Sequence, residues 1–240
     1  MIVNAGNRIM NTYVYPIEGG YVMVDTGYSG YYKSVESKLK AFGIEMSQIK
    51  YVFLTHAHDD HAGFLNELLT KVSGVKVIMN EKSLQILRQG QNSFTGGCTG
   101  MTSYLFCRMM AFCGVGKHLF PPIEKRFEDR LVFVSQDKDN HHAEAILGGK
   151  ILFTPGHTFD SISLKLGDSV LCGDAAMNGF PSQNHITIWM EDKVEFRKSW
   201  EYLLSQNVKL LYPSHGNPFE VDELKKLVTE IDKVKIYSLI

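Results

Sequence analysis

The residues best equipped for chemistry are imidazoles and carboxylates gathered in short runs. THAHDDHAG places His56, His58, Asp60 and His61 within a few positions of one another, TPGHT carries His157, GDA carries Asp174, and PSHG carries His215. Five of the nine histidines therefore fall in three runs. Two apart in an extended backbone, His56 and His58 project the same way and can chelate one ion. Asp60 and His61 come just after, where the chain turns into a helix, and can reach a second. Neutral imidazole and carboxylate are borderline-to-hard donors that suit Zn, Fe or Mn. The runs contain no thiolate, which argues against a closed structural zinc site and for open coordination positions.

Something must bring these runs together, and the sequence shows what. YVFL precedes the first run, KILF the second and KLLY the third, while SVLC ends at Gly173-Asp174. Four short apolar strands thus deliver an imidazole or carboxylate at their C-terminal ends, the edge at which layered α/β folds build their sites. A fifth strand, Tyr21–Val24, runs into Asp25-Thr26-Gly27.

Between the runs, strand and helix patterns interleave. Alternation from Ile9 to Ile17, a Glu18-Gly19-Gly20 turn and Tyr21–Val24 predict a hairpin. Val35, Leu39 and Phe42 ahead of Gly43 predict a helix over 31–42, and Phe64, Leu65, Leu68 and Leu69 another over 62–72. Strands over 75–79, 150–154, 162–166, 169–172 and 209–212 follow, with helices from 82, over 194–205 and over 221–232. With no short repeat and no linker, one α/β domain over 1–240 is expected.

Composition bounds the function. The 240 residues carry 25 Lys plus Arg against 26 Asp plus Glu, a formal charge of −1, with 44% hydrophobic and 21% charged residues. Such a chain can bury a core without a disulfide or structural metal. Its balanced charge gives no reason to expect a nucleic-acid partner. The first twenty residues lack the apolar stretch of a signal peptide, and the four cysteines Cys98, Cys107, Cys113 and Cys172 form no CxxC pair. A reduced, cytoplasmic setting is expected. Met101–Val115, interrupted by Arg108, is too short to span a membrane.

The segment from about 90 to 130 breaks the strand–helix rhythm, with NSFTGGCTG, MTSYLFCRMMAFCGVG and HLFPPIEKRF in succession. It reads as an insertion, either a helix completing the core or a Met-rich wall of a substrate pocket or lid. His185, in QNHITIW, reads as an ordinary packing histidine, with substrate contact left open by its place between two ligand loops. His118, His141 and His142 have no partner pattern.

Taken together, THAHDDHAG, TPGHT, GDA and PSHG resemble the metal-binding motifs of the metallo-β-lactamase superfamily, in order and separation, over nearly the whole chain. The resemblance implies a four-layer αββα sandwich. It implies that His56, His58 and His157 bind one metal, that Asp60, His61 and His215 bind a second, and that Asp174 bridges the two. Asp25 matches the family's early acidic motif and would hold a ligand in place from behind; read alone, it is equally a turn residue stabilising its own loop.

Two divalent ions, Zn or alternatively Fe or Mn, would supply hydroxide at neutral pH, and Asp60 would orient it and pass a proton to the leaving group. The expected activity is hydrolysis of a small ester, thioester or lactone, with a small-molecule substrate and neither nucleic acid nor membrane as partner. Asp174 stands where many true β-lactamases carry Cys or lack a bridging acid. Glyoxalase II enzymes add a C-terminal helical domain, whereas 24 residues follow Gly216 here. Lactonases of the superfamily have Tyr three positions past the bridging acid, where this chain has Met177. The alternatives are a phosphodiesterase or nuclease of the same superfamily and an iron-dependent sulfur dioxygenase.

Overall fold

In a computed structural model describing residues 1–239, the chain folds as two compact units. The first comprises Met1–Asn92 and Leu119–Lys150, the second Ser93–His118 and the chain from Ile151 onward. The segment set apart by its composition is divided between them: 93–118 goes with the second unit, 119–130 with the first.

The first unit is built on a six-stranded sheet ordered Val3–Asn4, Tyr13–Ile17, Gly20–Val24, Ile49–Leu54, Lys76–Asn80 and Leu131–Val134. The first three strands pair antiparallel and the last four parallel. Parallel strands covered by helices carry near-continuous apolar runs, as in Val52-Phe53-Leu54 and Val77-Ile78-Met79, all fully buried. Helix Tyr32–Ala41 turns Tyr32, Val35 and Leu39 inward, and helix Leu65–Lys71 does the same with Leu65, Leu68 and Leu69. These residues pack into one cluster with Met23, Val52 and Val77.

The second unit holds a five-stranded sheet ordered Phe219–Glu220, Leu210–Pro213, Ser169–Gly173, Ile162–Leu166 and Lys150–Phe153. Ser169–Gly173 runs parallel to Leu210–Pro213 and antiparallel to Ile162–Leu166. Asp192 caps helix Lys193–Leu204 by accepting from the amides of Val194 and Glu195, and that helix buries Phe196, Trp200 and Leu203 among Leu152, Val170 and Leu211. Helix Met101–Phe112 differs from these. It buries only Ser103, while Met101, Leu105, Met109 and Phe112 are exposed, so it does not complete a core.

Most expected elements form within a residue or two of their predicted bounds. The region expected as a helix over 221–232 divides into Asp222–Leu227 and Glu230–Lys233. The helix expected from about 62 begins at Leu65, because its predicted first turn is occupied by the loop carrying His61. Strands Val3–Asn4, Leu131–Val134 and Phe219–Glu220 and helix His141–Leu147 are additional. Among the described residues, no helix is long and apolar enough to cross a membrane.

Candidate functional site

Of the residues expected to bind metal, His56, His58, Asp60 and His61 lie in the first unit and His157, Asp174 and His215 in the second, and each group follows from where its strands end. In the first unit, Gly20–Val24 and Ile49–Leu54 are parallel neighbours, so Asp25 and Thr55-His56 leave the sheet side by side. The Asp25 amide donates to the Phe53 carbonyl at 3.0 Å. Its backbone then takes a left-handed conformation, φ 56°, which is uncommon for a residue with a side chain. That turn sends the carboxylate away from its own loop. Oδ1 accepts from the Thr55 amide at 2.8 Å and Oδ2 from the Thr55 hydroxyl at 2.8 Å, with Nδ1 of His61 also 2.8 Å from Oδ2.

These contacts fix proton positions. Facing a carboxylate, Nδ1 of His61 carries the hydrogen, which leaves Nε2 with its lone pair. The Thr55 hydroxyl spends its hydrogen on Asp25, so at 3.1 Å it accepts from Nδ1 of His56, and Nε2 of His56 is likewise the basic nitrogen. That Nε2 lies 3.2 Å from Nδ1 of His58, and Asp60 Oδ1 lies 3.7 Å from Nε2 of His61. Two ligands about 2.0–2.1 Å from a tetrahedral ion stand about 3.3 Å apart, so these are separations at which donors can share an ion.

The loop is braced from outside by a residue that sequence reading does not single out. Asn92 accepts from the Asp59 amide and donates to the Asp59 carboxylate, both at 2.7 Å. Two backbone contacts hold the neighbourhood of Asn92: Phe120 donates to the Gly90 carbonyl at 2.9 Å, and Gln91 bridges to Leu119. No motif marks Asn92. Thr55, immediately before His56, is a second such residue.

In the second unit, His157, Asp174 and His215 follow strands of one sheet. Oδ2 of Asp174 stands 3.7 Å from Nε2 of His157 and 3.5 Å from Nε2 of His215, so one carboxylate oxygen faces two imidazole nitrogens. All three side chains are largely buried. Nδ1 of His157 donates to the Trp189 carbonyl at 2.8 Å, with the Thr187 hydroxyl 3.1 Å away, and this again directs the basic Nε2 toward the carboxylate. Trp200 Nε1 donates to the Ala175 carbonyl at 2.7 Å and so pins the loop next to Asp174.

Two glycines in these motifs answer to close backbone approach. A Cβ at Gly156 would stand 2.3 Å from the Phe196 backbone, and one at Gly216 would stand 2.1 Å from the carbonyl carbon of Asn178. Both have positive φ, 132° and 93°. Glu191 accepts from the Phe159 amide at 2.7 Å, next to the His157 loop, and burial lifts its carboxyl above the usual range.

His185 is engaged elsewhere. Its ring stacks on Phe219 with centroids 3.9 Å apart, and Nε2 lies 3.1 Å from Glu223. Beside it a cavity of about 400 Å³ is lined by Met177, Asn178, Phe180 and Leu227. Imidazole nitrogens and carboxylate oxygens held at these separations, with the far side of several rings tethered, fit a divalent cation in kind and in spacing.

Comparison with known proteins accords with this chemistry. A family model described as "Metallo-beta-lactamase superfamily" matches residues 5–215. A Beta-lactamase-like protein 2 homolog of Drosophila melanogaster is 22% identical over 213 residues, covering 88% of this chain and 59% of its own length. The chain thus spans about three fifths of that relative. A probable metallo-hydrolase of Methanocaldococcus jannaschii is 25% identical over 199 residues, covering 81% of this chain and 82% of its own. Among solved structures, an archaeal metallo-beta-lactamase superfamily protein from Sulfolobus tokodaii superposes with a TM-score of 0.62 at 21% identity, covering 100% of this chain and 90% of its own.

Proposed function

Because the chain belongs to the metallo-β-lactamase superfamily and has its α/β sandwich fold, we propose that it is a binuclear metal-dependent hydrolase of a small ester, thioester or lactone. The observation that carries this reading is the position of Asp174, whose Oδ2 faces both His157 and His215. In the proposed site the ligands are His56, His58 and His157 for one ion, Asp60, His61 and His215 for the other, and Asp174 between them.

When bound, a pair of such ions acidifies water and polarises the substrate oxygen. The chain does the rest. Thr55, Asp25 and the Trp189 carbonyl keep the protons of His56, His61 and His157 on Nδ1, so that each Nε2 stays a ligand. Asp60, partly exposed, takes a proton from the attacking water on a carboxylate oxygen and returns it to the leaving group. Asn92 holds the loop on which Asp60 sits.

The test is a substrate screen with defined metal. Purified protein loaded with zinc, manganese or iron is assayed on ester, thioester, lactone and phosphodiester compounds, before and after chelation, with oxygen uptake recorded. Oxygen-independent cleavage of an ester-class compound that chelation abolishes is the expected result. Turnover of phosphodiesters alone would move the assignment to the phosphodiesterase branch, and oxygen uptake with iron to a dioxygenase.

A further inference from the structure

We propose that Cys98 and Cys107 are a dithiol pair oxidised by hydroperoxides, with Cys107 the thiol that meets the oxidant and Cys98 the thiol that closes the disulfide. Both lie in the second unit, and the inference does not depend on the metal reading.

The backbone sets the two sulfurs against each other. Strand Gly97–Cys98 pairs antiparallel with Trp189–Met190, and Cys98 also exchanges both backbone hydrogen bonds with Tyr237, each 2.9 Å. A Cβ at Gly97 would stand 2.5 Å from the Tyr237 carbonyl oxygen, so glycine is what admits this approach. Cys98 is therefore held by two partners, and it is fully buried. Two residues on, Gly100 precedes helix Met101–Phe112, whose one buried residue is Ser103. Cys107 comes four residues after Ser103, on the same face of the helix, and is partly exposed. Its thiol is hydrogen bonded to that of Cys98.

Protons decide the roles. The hydrogen bond from Cys98 favours the Cys107 thiolate, burial opposes it, and the charge of His118 favours it; the hydrogen bond outweighs burial, so the Cys107 thiol falls below its ordinary range. For Cys98 the same hydrogen bond, burial and the charge on Cys107 all act upward, so it keeps its proton. A thiolate that solvent reaches, beside a buried thiol, is the arrangement of a redox-sensing cysteine with its resolving partner. Bond formation must bring the sulfurs to about 2.05 Å, and a helix that buries one residue has fewer contacts to give up than a strand paired to two neighbours.

The chemistry balances with a hydroperoxide as oxidant. The Cys107 thiolate attacks one peroxide oxygen: an S–O bond forms, the O–O bond breaks, and the sulfur gives up two electrons to become a sulfenic acid. The departing oxygen takes up the proton that Cys107 had shed and leaves as water or alcohol. Cys107 is now neutral, which removes the charge that held the Cys98 proton. The Cys98 sulfur then attacks the Cys107 sulfur; an S–S bond forms, the S–O bond breaks, and hydroxide leaves with the Cys98 proton as water. Two thiols and one hydrogen peroxide thus give one disulfide and two waters. The new bond ties helix Met101–Phe112 to the strand beside Trp189, whose carbonyl accepts from His157.

The experiment is peptide mapping of the zinc-loaded full chain, titrated with hydrogen peroxide and digested without reductant. Trypsin cuts after Arg88 and Arg108, so one peptide holds Cys98 and Cys107 and no other cysteine. That peptide should lose two hydrogens, about 2 Da, at peroxide doses that leave the exposed Cys113 unmodified, and dithiothreitol should restore it. Cys98→Ser should stop at the sulfenic acid, which dimedone captures on Cys107, and Cys107→Ser should leave Cys98 reduced. Wild-type Cys107 passing to the sulfinic acid while Cys98 stays reduced, a disulfide of Cys107 with Cys113, oxidation of Cys113 ahead of the pair, or a folded Cys98→Ser variant without a dimedone adduct would overturn the proposal.

Discussion

The Asp25 carboxylate lies 2.8 Å from Nδ1 of His61 while also accepting from both the amide and the hydroxyl of Thr55. Asp25 thus makes one body of two loops that leave adjacent parallel strands, and it sets which nitrogen of His61 stays basic. Its φ of 56° is a conformation that such contacts must hold in place.

Asp25→Asn keeps the shape of the side chain and removes the charge behind His61. Metal affinity should fall about 10- to 100-fold with secondary structure retained, as expected for loss of a carboxylate behind a ligating imidazole. Zinc titration against a competing chelator measures this, and unchanged affinity would place Asp25 outside the site's support.

Asn92→Ala removes both contacts to Asp59. We expect kcat to fall about tenfold or more with KM little changed, because the loop carrying Asp60 and His61 loses its outer brace. Asn92→Gln, which can restore one contact, should recover part of the loss. Equal kcat in the wild type and Asn92→Ala contradicts a positioning role.

Trp200→Phe fills most of the same volume and strands the Ala175 carbonyl. Stability should drop by about 1–3 kcal/mol in urea unfolding, the cost of a buried acceptor left without its donor. Because that carbonyl adjoins Asp174, zinc affinity should fall as well; a variant that loses stability and keeps its affinity would separate the two roles.

The cysteines should differ sharply in reactivity. A hydrogen bond from Cys98 lowers the Cys107 thiol below its ordinary range, while that same pairing raises Cys98 and burial raises Cys172. Only the thiolate alkylates, so Cys107 should label at a lower pH than an ordinary thiol, and Cys98 and Cys172 should resist until the protein unfolds. Mass spectrometry after brief iodoacetamide treatment across a pH series reads this order, and early labelling of Cys172 would contradict it.

Much of this was legible in the sequence because the signal was redundant. His56, Asp174 and His215 each follow closely on an apolar run, and strand ends of a sheet are fixed by that pattern more firmly than helix ends are. The turn from His58 to Phe64 was less legible: its helical-looking apolar residues belong to a loop closed by the His61 and Ala62 amides on the His58 carbonyl, so the helix starts late. Asn92 and Thr187 were invisible, since an amide or hydroxyl that works through one neighbour leaves no spacing to detect. Met101–Phe112 was ambiguous for another reason: its apolar residues fit a core or an exposed face equally well, and only packing distinguishes them.

The central claim is that His56, His58, Asp60, His61, His157, Asp174 and His215 hold two metal ions. Anomalous diffraction from zinc-loaded crystals, recorded on both sides of the zinc edge, tests it directly. The account predicts two peaks about 3.5–4 Å apart, with Asp174 touching both. A single peak away from Asp174, or none at full zinc loading, would contradict it.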